Sequence, residues 1–104
     1  MFFMGERKYP PLMCSEIIAI LTALGFTKDR TESSHAQYEC GARDGYPRSI
    51  VTVDTNYREF DESRIKTMIR HSNRPREVFY GATKGTARKA AVKFMKLTPS
   101  TDPK

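Results

Sequence analysis

The sequence predicts an α+β domain, with a three-stranded antiparallel sheet, helices on one face of it, and a basic helix at the C-terminal end. Three observations predict this. Ile17, Ile20, Leu21 and Leu24 fall at i, i+3, i+4 and i+7 and run into Gly25-Phe26, one buried helical stripe with a stop. Two short alternating stretches, His35 to Cys40 and Arg48 to Asp54, flank a loop holding two glycines and Pro47. Helical periodicity then returns from residue 61 onward. At 104 residues the chain suffices for one domain with a modest core, and 38% hydrophobic content with 11% aromatics suits a folded chain rather than a disordered one.

Residues 1–12 read as an N-terminal extension, broken from the first helix by Tyr9-Pro10-Pro11. Ser15 is the expected N-cap of a helix running to Leu24, with Gly25 supplying the left-handed position after it and Phe26 folding back on the last turn. Phe26 to Arg30 is then expected as a strand, followed by a polar turn over Thr31 to Ser34. In the next strand, from His35, Ala36 and Tyr38 share one face while His35, Gln37 and Glu39 share the other. Gly41 to Pro47 is a hairpin loop longer than a tight turn, and Val51 and Val53 alternate with Thr52 and Asp54 in the third strand.

Asp61 is placed to cap the next helix, with Glu62 in its first turn and Ile65, Met68 and Ile69 toward the core. Asn73-Arg74-Pro75 ends it. Arg76 to Tyr80 forms a brief helical turn closed by Gly81, and residues 81–97 carry the last, basic helix, expected from Thr86 to Leu97. Residues 98–104 contain two prolines and no core residue and read as a flexible tail. The order α-β-β-β-α over residues 13–80 is that of double-stranded RNA-binding domains, which read duplex RNA by shape and by phosphate and 2′-hydroxyl contacts.

Charge is distributed unevenly. Residues 1–62 hold seven Lys/Arg against ten Asp/Glu, whereas residues 63–97 hold ten against Glu77 alone. That block predicts a polyanion-binding face, for which the plain alternative is a solvated helix surface. Met1-Phe2-Phe3-Met4 is too short for a signal-peptide core and no stretch is long enough to span a bilayer, so the cytoplasm is the expected compartment and no membrane partner is expected. Cys14 and Cys40 form no CxxC pair, which predicts free thiols and no metal site. Gly81-Ala82-Thr83-Lys84-Gly85 lacks the spacing of a phosphate-cradling loop, and no Ser-His-Asp or Cys-His arrangement is apparent.

The chain resembles the HicA, or YcfA-like, toxins of bacterial and phage toxin–antitoxin pairs. The resemblance is carried by Ser15-Glu16-Ile17-Ile18 through Leu24-Gly25-Phe26, then Arg30, Ser34-His35 and Tyr38. It continues through Ile50-Val51-Thr52-Val53 to Ile65-Lys66-Thr67-Met68-Ile69-Arg70 and Arg76-Glu77-Val78-Phe79. It implies a small protein of double-stranded-RNA-binding-like fold that cleaves mRNA without metal or other cofactor and is silenced by a HicB-like antitoxin. Ser33 stands where the family has glycine, and Asp54-Thr55-Asn56 where it often has a second histidine or basic residue.

Taken alone, His35 is either a hydrogen-bonded strand-end histidine or a general base; the resemblance implies the base. A neutral imidazole can take the 2′-hydroxyl proton of RNA near neutral pH, leaving cations to offset charge on the phosphorane-like transition state. Lys28, Arg30, Arg64 and Lys66 are the cations expected nearest, with Arg70, Arg88, Lys89 and Lys93 extending the RNA-binding surface. Ser34 is either a turn cap or a phosphate ligand. Tyr38 falls on the opposite strand face from His35, a distant candidate for the acid, and His71 reads as a partner of its helix end. The competing function is a non-catalytic module of the same fold, binding double-stranded RNA, other nucleic acid or a protein.

Overall fold

The computed structural model describes residues 9–95, with side chains described as far as residue 90. Along this span lie β1 (Leu12–Met13), α1 (Cys14–Ala23), β2 (Thr27–Glu32), β3 (His35–Cys40) and β4 (Ser49–Asp54). They are followed by β5 (Glu59–Phe60), α2 (Glu62–Ser72), α3 (Arg76–Tyr80) and α4 (Lys84–Met95). The architecture is α+β, with β2-β3-β4 forming the expected antiparallel meander. The seven residues of the expected tail, and the end of the expected last helix beyond Met95, lie outside the described residues, as do residues 1–8 of the expected extension.

Helix α1 begins at Cys14, so Ser15 is not its cap. Glu16, at the third helical position, reaches back instead, its Oε1 accepting the Met13 backbone N–H at 2.8 Å. The C-terminal end follows expectation. Phe26 N–H donates to the Leu21 carbonyl and Gly25 N–H to Thr22, while Gly25 sits at φ +100°, where a side chain would be strained. Ile17, Ile20 and Leu21 are buried, each contributing roughly 1.5–3 kcal/mol by leaving water.

The sheet differs from expectation at its turns. Strand β2 starts one residue after Phe26, whose N–H is committed to the helix end, and runs on to Glu32. The turn is therefore only Ser33-Ser34, because Ser33 takes a left-handed conformation at φ 59°. The β3–β4 loop closes at its tip on Asp44 and Gly45, both at positive φ, in the manner of a type I′ turn. Ala36, Tyr38, Cys40, Val51 and Val53 fill the inner face of the sheet; His35, Gln37, Glu39, Ile50 and Thr52 line the outer one.

Asp61 caps α2 as expected, accepting the Arg64 backbone N–H at 3.1 Å, and Ile65, Met68 and Ile69 are buried. Asn73 ends the helix in the left-handed region. Helix α4 starts at Lys84 rather than Thr86, since the Thr83 hydroxyl accepts the Thr86 N–H and caps the helix two residues earlier. Thr86 is buried and donates its hydroxyl proton to the Tyr80 carbonyl at 2.6 Å. Burial pushes the Tyr80 phenol up, and its O–H donates to the Pro10 carbonyl at 2.6 Å.

The two-residue pairing of β1 with β5 had no sequence signal, being too short to show a period. It sets buried Leu12 against buried Phe60 and brings Pro10 and Leu12 into the core beside the β4–α2 connection. Lys89 strengthens the same region, its ammonium donating to the Pro11 carbonyl at 3.0 Å and to Glu16 at 2.9 Å.

Candidate active site around His35

His35 opens β3 directly after the Ser33-Ser34 turn. The Ser34 carbonyl accepts both the Thr55 N–H, at 2.8 Å, and the Thr55 hydroxyl, at 2.9 Å, stapling this turn to the end of β4. The His35 backbone is thus fixed by β2 on one side and β4 on the other. The contact that holds this turn is made by the Ser34 main chain.

Pairing register places Glu32, His35 and Asp54 in one row across the three strands, so their side chains share the outer face. His35 Nε2 lies 3.6 Å from Asp54 Oδ2, within ion-pair reach and just beyond a hydrogen bond. The imidazole is 58% exposed, against 29% for the aspartate side chain. Asp54 is itself oriented, its Oδ1 accepting the Asn56 N–H at 3.0 Å in an Asx turn. Nε2 is thus the ring nitrogen turned toward the carboxylate.

Asp54 also lines a cleft of about 270 Å³ between the outer strand β4 and the first turns of α2. Thr52, Tyr57, Phe60, Ser63, Arg64, Thr67 and Met68 complete it. Arg64 lies 4.3 Å from the Tyr57 ring centroid, donates to the Tyr57 hydroxyl at 2.8 Å and pairs with Asp61 at 3.1 Å. The hydrogen bond with Tyr57 is the largest influence raising its pKa.

The other expected cations divide into groups. Arg30 pairs with Gln37 and so shares the His35 face one row away, whereas Lys28 pairs with Tyr38 on the inner side of the exposed strand β2. Lys66 and Arg70 line a second depression of about 450 Å³ on α2, where Lys66 is paired with Glu62 at 3.2 Å. Arg88 is exposed on α4, while Lys89 is turned inward to Pro11 and Glu16. The Lys93 side chain lies outside the described residues. His71 is exposed in the last turn of α2.

Arg74, in the same basic block, is 4% exposed and sits between the Phe26 and Tyr46 rings. Tyr38 is buried on the inner face, and desolvation followed by Cys14 raises its pKa. It lies on the opposite face of the sheet from His35. Cys14 and Cys40 are free thiols. Burial, then the charge of Asp54, pushes the Cys14 thiol up, which keeps it a neutral and poor nucleophile. Among the described residues no group of three or more His, Cys, Asp or Glu could hold a metal ion, and no helix is long and apolar enough to cross a membrane.

Sequence reasoning missed three residues here. Asp54 carries no sequence signal beyond its departure from a family pattern, Glu32 falls within the expected Thr31 to Ser34 turn, and Tyr57 belongs to no motif. A two-residue reading of Ser33-Ser34 would have found Glu32, since it sets residues 32 and 35 opposite each other. Comparison of the chain with protein-family models, with curated proteins and with solved structures finds no match.

Proposed function

We propose that the chain is a HicA-like endoribonuclease toxin, a double-stranded-RNA-binding-like domain with a basic C-terminal helix that cleaves mRNA and is held silent by a HicB-like antitoxin. The observation that carries this reading is the exposed His35 imidazole set 3.6 Å from an oriented Asp54, beside a cleft holding Arg64. In the reaction, Nδ1 of His35 takes the 2′-hydroxyl proton and the 2′-oxygen attacks the adjacent phosphorus. The bond to the 5′-oxygen breaks, and that oxygen leaves with a proton from the reprotonated imidazole or from water. The products are a 2′,3′-cyclic phosphate and a 5′-hydroxyl. Asp54 stabilises the imidazolium that forms in between, and Arg30, on the same sheet face as His35, offsets charge on the transferring phosphate.

A second reading is favoured by the Glu32-His35-Asp54 row. Two carboxylates flank the imidazole, an unfavourable setting for a polyanion, which suits a non-catalytic module that binds a protein. Induced expression with RNA sequencing decides between them. Under the nuclease reading His35→Ala lowers cleavage about 10²–10⁴-fold and relieves growth arrest while the protein stays folded. Equal toxicity of a folded His35→Ala protein would overturn it.

A further inference from the structure

The cleft between β4 and α2 plays no part in the proton transfers above, yet it shares Asp54 with them. We propose that it is a base subsite, receiving the nucleobase next to the scissile phosphate and favouring amino-bearing bases over uracil. This rests on reading His35 as a ribonucleolytic base, and it assigns the cleft a role in choosing where RNA is cut.

Position is the first argument. Asp54 faces His35 with Oδ2 and lines the cleft as well, so a group bound in the cleft is separated from the imidazole by one side chain. A phosphate at His35 therefore has its neighbouring base within reach of the opening. Size is the second. About 270 Å³ falls just below the roughly 300–1,000 Å³ of pockets that bury drug-sized molecules, which suits one ring system rather than a larger ligand.

The lining chemistry separates a base from a phosphate. Arg64 already has Asp61 at 3.1 Å, and Asp54 stands in the same wall, so two carboxylates disfavour a further anion. A neutral heterocycle meets no such opposition. The hydroxyls of Thr52, Ser63 and Thr67 can donate to or accept from its edge. An ionised Asp54 only accepts, and so selects a base carrying an exocyclic amine.

The stacking surface is preorganised. Tyr57 packs on Phe60 with centroids 5.6 Å apart and planes 23° from parallel, and the Arg64 guanidinium lies over the same tyrosine, half exposed. A planar guanidinium held in place by two partners can stack on a base without losing further side-chain freedom.

The test titrates the full chain with the 3′-monophosphates of adenosine, cytidine, guanosine and uridine, read by NMR at the Thr52 and Thr67 methyls. The amino-bearing nucleotides are expected to shift both methyls and to bind about three- to tenfold tighter than the uridine nucleotide, the value of about one hydrogen bond. Thr52→Val should weaken all of them, and Asp54→Asn should erase the discrimination. Shifts centred on the Lys66–Arg70 surface, or equal binding of all four, would overturn the subsite. If folded His35→Ala remains toxic while the preference persists, the nuclease reading fails and the base site stands. If His35→Ala is harmless but the methyls do not respond, the subsite alone fails.

Discussion

The two ends of the β3–β4 ladder each hold a basic side chain, and they treat it in opposite ways. At the Cys40–Ser49 end, Arg74 is 4% exposed, lies 4.5 Å from the Tyr46 ring centroid and 5.3 Å from that of Phe26, and donates to the Ser72 carbonyl at 2.9 Å. It also reaches Cys40 Sγ at 3.7 Å. At the His35–Asp54 end the imidazole is 58% exposed, with an aspartate at 3.6 Å. A guanidinium packed between two rings and hydrogen-bonded to its surroundings is part of the architecture, whereas the imidazole is left half in solvent beside an oriented carboxylate. Lys89 and Arg88 repeat the contrast on α4, the first tied to Pro11 and Glu16, the second exposed. A run of basic residues is thus not equivalent to a basic surface.

Substitution at the two ends should separate stability from activity. Arg74→Ala empties a packed site and strands the Ser72 carbonyl, so it should cost about 2–4 kcal/mol in denaturant unfolding. His35→Ala should stay within about 0.5 kcal/mol of the parent in the same measurement, as exposed positions usually do. A large stability loss at His35, or none at Arg74, would reverse the assignment of the two ends.

The Lys89 anchor gives a smaller effect with a pH signature. Burial pushes the Glu16 carboxyl up, but the Met13 N–H and Lys89 outweigh it and hold its pKa below the ordinary glutamate value. The folded state therefore binds this proton more weakly than the unfolded chain. The resulting stability is complete above about pH 4.3 and drains as pH falls through the lowered folded value. Lys89→Met should cost about 1 kcal/mol at neutral pH and make that acid loss shallower. Parallel stability–pH curves for the two proteins would remove Lys89 from the structural group.

The least effect is expected at Ser33. Left-handed backbone costs a non-glycine residue about 1–2 kcal/mol, and glycine returns part of this as unfolded-state entropy. Ser33→Gly should raise stability by about 0.5–1 kcal/mol in thermal unfolding, with His35 still at the start of its strand. A loss of stability would mean that the serine side chain itself holds the turn.

Local signals foretold much of this molecule. The α1 stripe, the Gly25-Phe26 stop, the Asp61 cap and the alternation of β3 and β4 each depend on residues within one turn or one strand, and all are present. The element boundaries that moved did so through contacts of the same short range: Glu16 capping from inside α1, Thr83 capping α4, and Ser33 tightening a turn.

By itself the sequence determined the α+β order and singled out His35, because periodicity, caps and turn residues act over a few positions. Only tertiary structure decided what His35 faces. Strand register set it between Glu32 and Asp54, the approach of α2 to the outer strand formed the cleft with Arg64, and core packing withdrew Arg74 from the surface. Those outcomes depend on contacts between segments far apart in the chain, for which a one-dimensional pattern carries no period.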